Sequence, residues 1–362
     1  MVELPRAIIH LDLDAFFAAV EVLEKPELAD KPLLIGGRPE DRGVVATASY
    51  AARAFGVRSA MPMSRALALC PDAIVLPARH SRYREYSQRV MALVDETSTQ
   101  VEQVSIDEAY LDVSDQVTNW EEAVEIARDL QSRIKGEIGL SASLGVATNK
   151  LVAKVASDRE KPGGLTVVRP GGEAAFLAPL PVRVLWGVGP VTAEKLAEIG
   201  VTRVGDLAGL SEDVLRDRFG RNGAAMARMA RGIDERPVVT EHEVKSVSQE
   251  RTFSRDLADP ASLRQQLWEL SQGVERRLRR KGLAATTVSI KLRYSDFTTL
   301  TRQMQLAVPT DDKQEIYRAA LALLRRAWER GRPVRLLGVA GRGLTPPVGQ
   351  LPLGLNGDGE GR

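Results

Sequence analysis

Apolar and polar positions along this chain change period repeatedly, and each change marks an element. IIHLDLDAFFAAVE opens with a strand-like apolar run, Ile8–Leu13, interrupted by acids. Helical spacing follows from about Ala15 to Leu23 and stops before Pro26. Leu33–Ile35 and Val44–Ala46 read as short strands around a Gly/Pro-rich loop. Helices are predicted from Ser49, with Gly56 as C-cap, from Pro62 to Pro71, and over Ser81–Thr97. VEQVSIDEAYLDVS at 101–114 needs a turn. Neighbours in a strand face opposite sides, so Asp107 and Glu108 cannot share a site on one. A hairpin turn at or near residues 106–108, between strands Val101–Ser105 and Ala109–Val113, lifts both carboxylates to the sheet rim.

Further along, Trp120–Lys135 reads as a helix, Leu140–Ala147 as a strand and Lys150–Arg159 as a helix. The KPGG run at 161–164 breaks the pattern, and Leu165–Val168 closes the sheet. Residues 170–235 look helical throughout. Residues 236–243 read as a linker. Strand, helix, two strands, helix and strand then follow: Val244–Phe253, Pro260–Arg280, Thr286–Arg293, Thr298–Ala307, Asp311–Glu329 and Val334–Ala340. That β-α-β-β-α-β order suggests a small ferredoxin-like unit. From Thr345 the chain is rich in Pro and Gly, and a disordered tail is expected apart from QLPLGL at 350–355.

The length of 362 residues allows two to four domains, and 44% apolar with 27% charged residues fits a globular protein. One cysteine rules out an internal disulfide, and with three histidines it argues against a Cys/His zinc site. No apolar run approaches membrane-spanning length and no signal-peptide pattern opens the chain, so a cytoplasmic protein is expected. Charge is unevenly spread. Residues 244–343 hold 20 Lys and Arg against 10 Asp and Glu, a net of +10, whereas residues 1–243 carry −7. A basic domain on a mildly acidic body points to a polyanionic partner, the alternative being a solvated Arg-rich surface.

Candidate chemistry lies in three acids. Asp12 and the pair Asp107-Glu108 interrupt apolar strand patterns, where a charge is costly unless compensated. Two such clusters, far apart in sequence, can converge on a pair of hard, oxygen-seeking ions. That is the minimum for two-metal phosphoryl or nucleotidyl transfer. LWGVGPVTAEKLAEIGV at 185–201 sets Gly187 and Gly189 before a helix from Pro190. Such a glycine turn at a helix N-terminus can grip a phosphate, or simply pack two helices.

HLDLDAFFAAVE, VVATASYAARAFGVRSAMP, SIDEAYLD and SLGVATNKLVAKVASDREKPGG, together with the helix-hairpin-helix, resemble the Y-family DNA polymerases, most closely their bacterial branch. The resemblance spans residues 6–343 and the tail motif. It implies an α+β multidomain right-hand fold: palm at 1–12 and 79–168, fingers at 13–78, thumb at 169–235, a linker at 236–243, a little finger at 244–343 and a tail at 344–362. It implies error-prone translesion synthesis, adding dNTPs to a primer 3′-hydroxyl with low fidelity and no proofreading. Asp12, Asp107, Glu108 and the backbone carbonyl of Leu13 match the ligands of two Mg²⁺ ions, for which Mn²⁺ could substitute. Asp14 is expected to point away and cap the helix from Ala15.

By the same resemblance Thr47, Tyr50, Arg53 and Lys161 match triphosphate ligands, and Phe17 a steric gate against the 2′-hydroxyl. Phe17 alone would read as a core aromatic. Val44, Ala46 and Ala60 match the small residues that roof the nascent base pair, with tight packing as the alternative. Gly187, Gly189, Lys245, Arg251, Arg293 and Arg302 are the expected contacts to primer–template DNA. QLPLGL resembles the bacterial sliding-clamp peptide, with Gln350, Leu351, Leu353 and Leu355 docking. A monomer is expected. A non-catalytic bridging protein of the same fold would lack the acidic trio. A cyclase acting on free nucleotides would not need the basic domain or the clamp peptide.

Overall fold

The computed structural model describes residues 5–241 and 243–347. The chain divides into two compact units, one drawn from 1–37 and 44–242, the other from 38–43 and 243–362. The first unit begins with β1 (Ile8–Leu13), α1 (Phe16–Glu24), β2 (Leu33–Gly36), β3 (Val45–Ala48), α2 (Tyr50–Ala54), α3 (Met63–Leu69) and β4 (Ile74–Leu76). It continues with α4 (His80–Thr97), β5 (Gln100–Gln103), β6 (Glu108–Asp112), α5 (Trp120–Arg133), β7 (Ala142–Ala147), α6 (Lys150–Ser157) and β8 (Leu165–Val167). Five short helices end it: α7 (Glu173–Leu177), α8 (Pro190–Ala197), α9 (Val204–Ala208), α10 (Glu212–Phe219) and α11 (Arg221–Ala230).

A five-stranded sheet of order β5-β6-β1-β7-β8 carries this unit, and β3-β2-β4 form a second, smaller sheet. β1 is buried along its whole length between β6 and β7, antiparallel to both. Its side chains alternate. Ile9, Leu11 and Leu13 enter a core that also takes buried residues of α1, α4 and α5. Ile8 faces the other way, into a second core with Leu151, Val152 and Val155 of α6 and the five short helices. His10 and Asp12 follow Ile8 on that face. α6 is capped by Asn149, whose side chain accepts the Val152 N–H at 3.0 Å.

Gly145 of β7 lets α6 lie close. A Cβ there would come within 2.0 Å of the Ala153 carbonyl oxygen and 2.5 Å of the Ser157 nitrogen. The expected helix Trp120–Lys135 ends earlier: regular α-helix stops at Arg133 and a π-helical turn runs through Ile138 to Gly139. β4 was not expected. It pairs in parallel with β2. Among the described residues no helix is long and apolar enough to cross a membrane.

The second unit contains β9 (Ser246–Leu257), α12 (Pro260–Arg280), β10 (Ala284–Tyr294), β11 (Thr299–Thr310), α13 (Lys313–Ala327) and β12 (Val334–Thr345). The β-α-β-β-α-β order is the expected one. The sheet order is β11-β10-β12-β9 with every pairing antiparallel, so the first strand lies at an edge beside the last. A ferredoxin-like unit has its first strand inside the sheet, so the likeness holds for element order and not for pairing. Leu263, Leu267, Leu270, Val274 and Leu278 give α12 its apolar stripe.

Gly145→Ala should drive α6 off the sheet. The expected loss is about 1–3 kcal/mol, the usual cost of overpacking a close contact. Urea denaturation of the full chain checks it, and an unchanged midpoint would show that α6 does not depend on this approach.

Candidate active site

Residue pairing brings the three acids to one rim. Asp12 lies directly opposite Glu108 in the β1–β6 register. The chain turns between β5 and β6, and the Val104 N–H donates to the Glu108 carbonyl at 3.0 Å. The turn is anchored to β1 by the Leu13 N–H, which donates to the Asp107 carbonyl at 3.0 Å. The hairpin expected at 106–108 is therefore present, with β6 starting one residue earlier, at Glu108. Among the described residues, no three acidic, histidine or cysteine side chains are drawn into a ready ligand cluster. The Asp107 carboxylate turns back to accept from the Ser105 hydroxyl.

The other two carboxylates are held by lysines. Lys161 Nζ lies 2.7 Å from Asp12 Oδ1 and 2.8 Å from Asp158 Oδ1. Lys154 Nζ donates to Glu108 Oε1 at 2.9 Å. Burial pushes the Asp12 carboxyl up to about 7; Lys161 opposes the rise and Glu108 adds to it. Burial also acts against the Lys161 ammonium, but Asp12 and Asp158 hold it above its ordinary value. His10 lies beneath this pair, with Nε2 4.0 Å from Glu108 Oε2. Burial, then Lys154 and Lys161, drive its pKa well below the ordinary value, so the ring is neutral. Ser157 Oγ is 2.8 Å from both His10 Nδ1 and the Lys154 carbonyl.

Asp14 does not cap α1. The cap position is Ala15, in a left-handed conformation and without a side-chain bond. Asp14 is buried and accepts four hydrogen bonds instead. Oδ1 accepts from the Tyr50 and Ser143 hydroxyls at 3.0 and 2.8 Å. Oδ2 accepts from the Ser141 hydroxyl at 2.7 Å and the Gly163 N–H at 2.8 Å. Helix capping needs only local geometry, whereas these partners come from three distant segments.

The expected triphosphate residues lie on the surrounding elements. Thr47 is on β3, opposite Ile35. Tyr50 opens α2, and the Arg53 guanidinium lies 4.9 Å from its ring. Burial, then the Asp14 charge, raise the Tyr50 phenol far above its ordinary value, so it keeps its proton. Arg53 Nε donates to the Ala48 carbonyl at 3.1 Å. Phe17 is half-buried on α1 and stacks on Tyr83 with ring centroids 4.1 Å apart. Val44, Ala46 and Ala60 are exposed, which removes tight packing as their reason. The Ala60 N–H donates to the Val45 carbonyl at 2.8 Å, and Val44 bridges to Pro62, so the three lie together.

Three family models match this chain. The impB/mucB/samB family model covers residues 11–158, its C-terminal domain 244–354, and the helix-hairpin-helix motif of the same family 170–201. A DNA polymerase IV of Dehalococcoides mccartyi is 42% identical over 96% of this chain and 90% of its own length. That of Alkalilimnicola ehrlichii is 45% identical over 94% and 96%. A solved chimera of the Y-family polymerases Dbh and Dpo4 superposes with a TM-score of 0.86 at 29% identity, over 93% of this chain and 99% of the other. The chain belongs to the Y family of DNA polymerases. It is a DNA-directed DNA polymerase of the translesion type.

Other expected DNA contacts of this Y-family polymerase fall in different settings. Gly189 is the N-cap of α8 and Gly187 has φ +85°. A Cβ built on either would meet nothing within 4 Å beyond its own chain neighbours, so their backbone is open to approach. In the little-finger domain Lys245 precedes β9 and is exposed. Arg293 stands opposite Thr299 and bonds its hydroxyl at 2.8 Å. Arg251 is opposite the buried Leu337 and pairs with Glu269 of α12 at 2.8 Å, so it sits on the helix side of the sheet. Arg302 is opposite the buried Ile290, on that same side. Lys291 and Arg342, which sequence reasoning passed over, lie on the helix-free face. Gln350, Leu351, Leu353 and Leu355 lie outside the described residues.

Sequence reasoning also missed Lys154, His10 and the partners of Asp14. Lys154 had a signal: it stands one turn beyond Lys150 on an otherwise apolar helix. Lys150 itself is buried, bonded to Glu102 and set over the Tyr110 ring.

Proposed function

We propose that Asp12, Asp107, Glu108 and the Leu13 carbonyl hold two divalent cations, Mg²⁺ with Mn²⁺ as substitute, for addition of a dNTP to a primer 3′-hydroxyl. The observation that carries this reading is the register of Asp12 against Glu108, with the Asp107 turn bonded to Leu13. The donor set suits hard cations, being all oxygen. Lys154 and Lys161 already balance Glu108 and Asp12, which are too sheltered to stand uncompensated. Bound there, the cations would lower the pKa of the 3′-hydroxyl and offset charge developing on the triphosphate. Lys161 would turn from Asp12 to the phosphates, joined by Thr47, Tyr50 and Arg53. Phe17 would underlie the sugar and exclude a 2′-hydroxyl. Val44, Ala46 and Ala60 would lie over the base pair.

Primer–template DNA would be held through phosphates, by the Gly187–Gly189 turn and by the basic second domain with Lys245 and Arg293. Arg251 and Arg302 remain candidates for the helix side of that domain. A complex of Dbh polymerase, solved as an insertion ternary complex and 29% identical, supports DNA and nucleotide as partners. We further propose a monomeric cytoplasmic enzyme of low fidelity without proofreading. QLPLGL would dock it on the bacterial sliding clamp through Gln350, Leu351, Leu353 and Leu355.

Asp107→Asn should lower kcat/KM by at least about 100-fold, because a lost cation ligand removes transition-state stabilisation. Affinity for primer–template should stay within a few-fold. Primer extension and fluorescence anisotropy on one preparation check both, and near-normal extension would remove Asp107 from the ligand set. Phe17→Ala should raise the ratio of ribonucleotide to deoxyribonucleotide incorporation by at least about 100-fold, because removing the ring opens the space that would exclude a 2′-hydroxyl. A wild-type ratio in single-nucleotide assays would make Phe17 a packing residue only. Deleting residues 350–362 should leave unassisted synthesis intact and abolish stimulation by the clamp. Equal stimulation with and without the tail would rule out this docking mode.

A further inference from the structure

Two acids two residues apart on the β1 end have different partners. Asp12 faces an ammonium, whereas Asp14 receives only neutral donors. Asp14 is 3% exposed, and its four bonds satisfy both oxygens. Two of those donors lead to groups that would grip a triphosphate. Tyr50 is one such group itself. Gly163 is in the turn that carries Lys161, and its N–H also reaches Ser143 Oγ at 3.0 Å. The same turn is fixed from behind by Gln131, whose amide donates to the Gly163 and Gly164 carbonyls at 3.1 Å.

We propose that Asp14 is a positioning residue for the incoming nucleotide, tying Tyr50 of α2 and the Lys161 turn to β7 so that both meet the phosphate tail. The inference rests on the reading of Tyr50 and Lys161 as triphosphate ligands. Asp14 itself touches neither substrate nor cation. One effect works against it. A phenol has a single proton, so Tyr50 can donate to a phosphate only by giving up Asp14. That exchange swaps one charged acceptor for another and is close to neutral. Removing Asp14 instead leaves the buried or half-buried Tyr50, Ser141 and Ser143 hydroxyls without their acceptor, weakens the hold on the Gly163 N–H and frees two segments at once. Loss of anchoring outweighs loss of competition, so nucleotide affinity falls when Asp14 is removed.

The test is single-nucleotide incorporation by the full-length protein, giving kcat and KM for each dNTP, with DNA affinity measured separately. Tyr50→Phe should raise KM about tenfold, or about 1.4 kcal/mol. Asp14→Ala should raise KM for all four dNTPs by at least about tenfold, with kcat within about threefold, because grip on the phosphates is lost and base selection is not. Asp14→Asn should fall between. Its amide oxygen can serve Gly163 while its NH₂ turns to the Tyr50 hydroxyl. The double variant Asp14→Ala/Tyr50→Phe should be weaker than wild type by less than the product of the two single effects. An unchanged KM in Tyr50→Phe would remove Tyr50 from the triphosphate ligands, and the proposal with it. A raised KM in Tyr50→Phe beside wild-type KM in Asp14→Asn and Ser143→Ala would overturn the positioning role alone. So would single effects that multiply fully. Should Asp14→Ala fail to fold, Asp14→Asn and Ser143→Ala decide.

Discussion

A slip of one residue between β1 and β6 would turn every side chain of β1 to the opposite face. Asp12 would then enter the core of α1, α4 and α5, and Leu11 or Leu13 would take its place at the rim. What prevents this is the burial of β1 on both faces. Ile8, Ile9 and Leu11 are fully buried, and Leu13 nearly so. The carboxylates could not hold the register by themselves, since Asp12 and Glu108 repel. Apolar packing therefore fixes where two like charges meet, and lysines from α6 and the turn beyond it offset the repulsion.

Those lysines explain why α6 must lie so close to the sheet. Lys154 reaches Glu108 from the middle of the helix, and Asp158 meets Lys161 just after its end. A helix held farther off by even one methyl group at Gly145 would carry Lys154 away from Glu108 and leave His10 with less cover. The glycine on β7 and the lysine on α6 are thus parts of one constraint, linking strand–helix spacing to charge balance at the rim.

Much of this was legible in the sequence. The strand β1, the turn at Asp107 and the helix α6 follow from apolar period and from the conflict of two adjacent acids in one strand. The hairpin was derived from that conflict alone, and its position was right within a residue or two. Asp14 was not legible. A lone Asp ahead of a helix reads as a cap, and its actual partners lie between 36 and 149 positions away. Nothing local records them. β4 was missed because three half-buried residues after a proline give too short a period. In the second domain, element order was readable but strand pairing was not, since either edge of β10 offers the same hydrogen bonds to β12 or β9. The sides of Arg251 and Arg302 depended on that pairing and on strand phase.

Asp12 and Asp14 show how partners, and not residue type, divide roles at a strand end. Both are carboxylates, both are sheltered, and they stand two residues apart. Asp12 is compensated by one ammonium on a flexible stem. Asp14 is bound by Ser143 of β7, by Ser141 just before that strand, by a phenol and by a backbone N–H, and exchanging them would loosen three segments. On the proposed reading, the acid that would take up cations is the one held by a single side chain. One that is to hold a scaffold must be bonded from several sides by groups fixed elsewhere. The same strand supplies both because its rim lies where β7, α2 and the Lys161 turn converge, with the lightly held acid toward Glu108 and the tightly held one toward the turn.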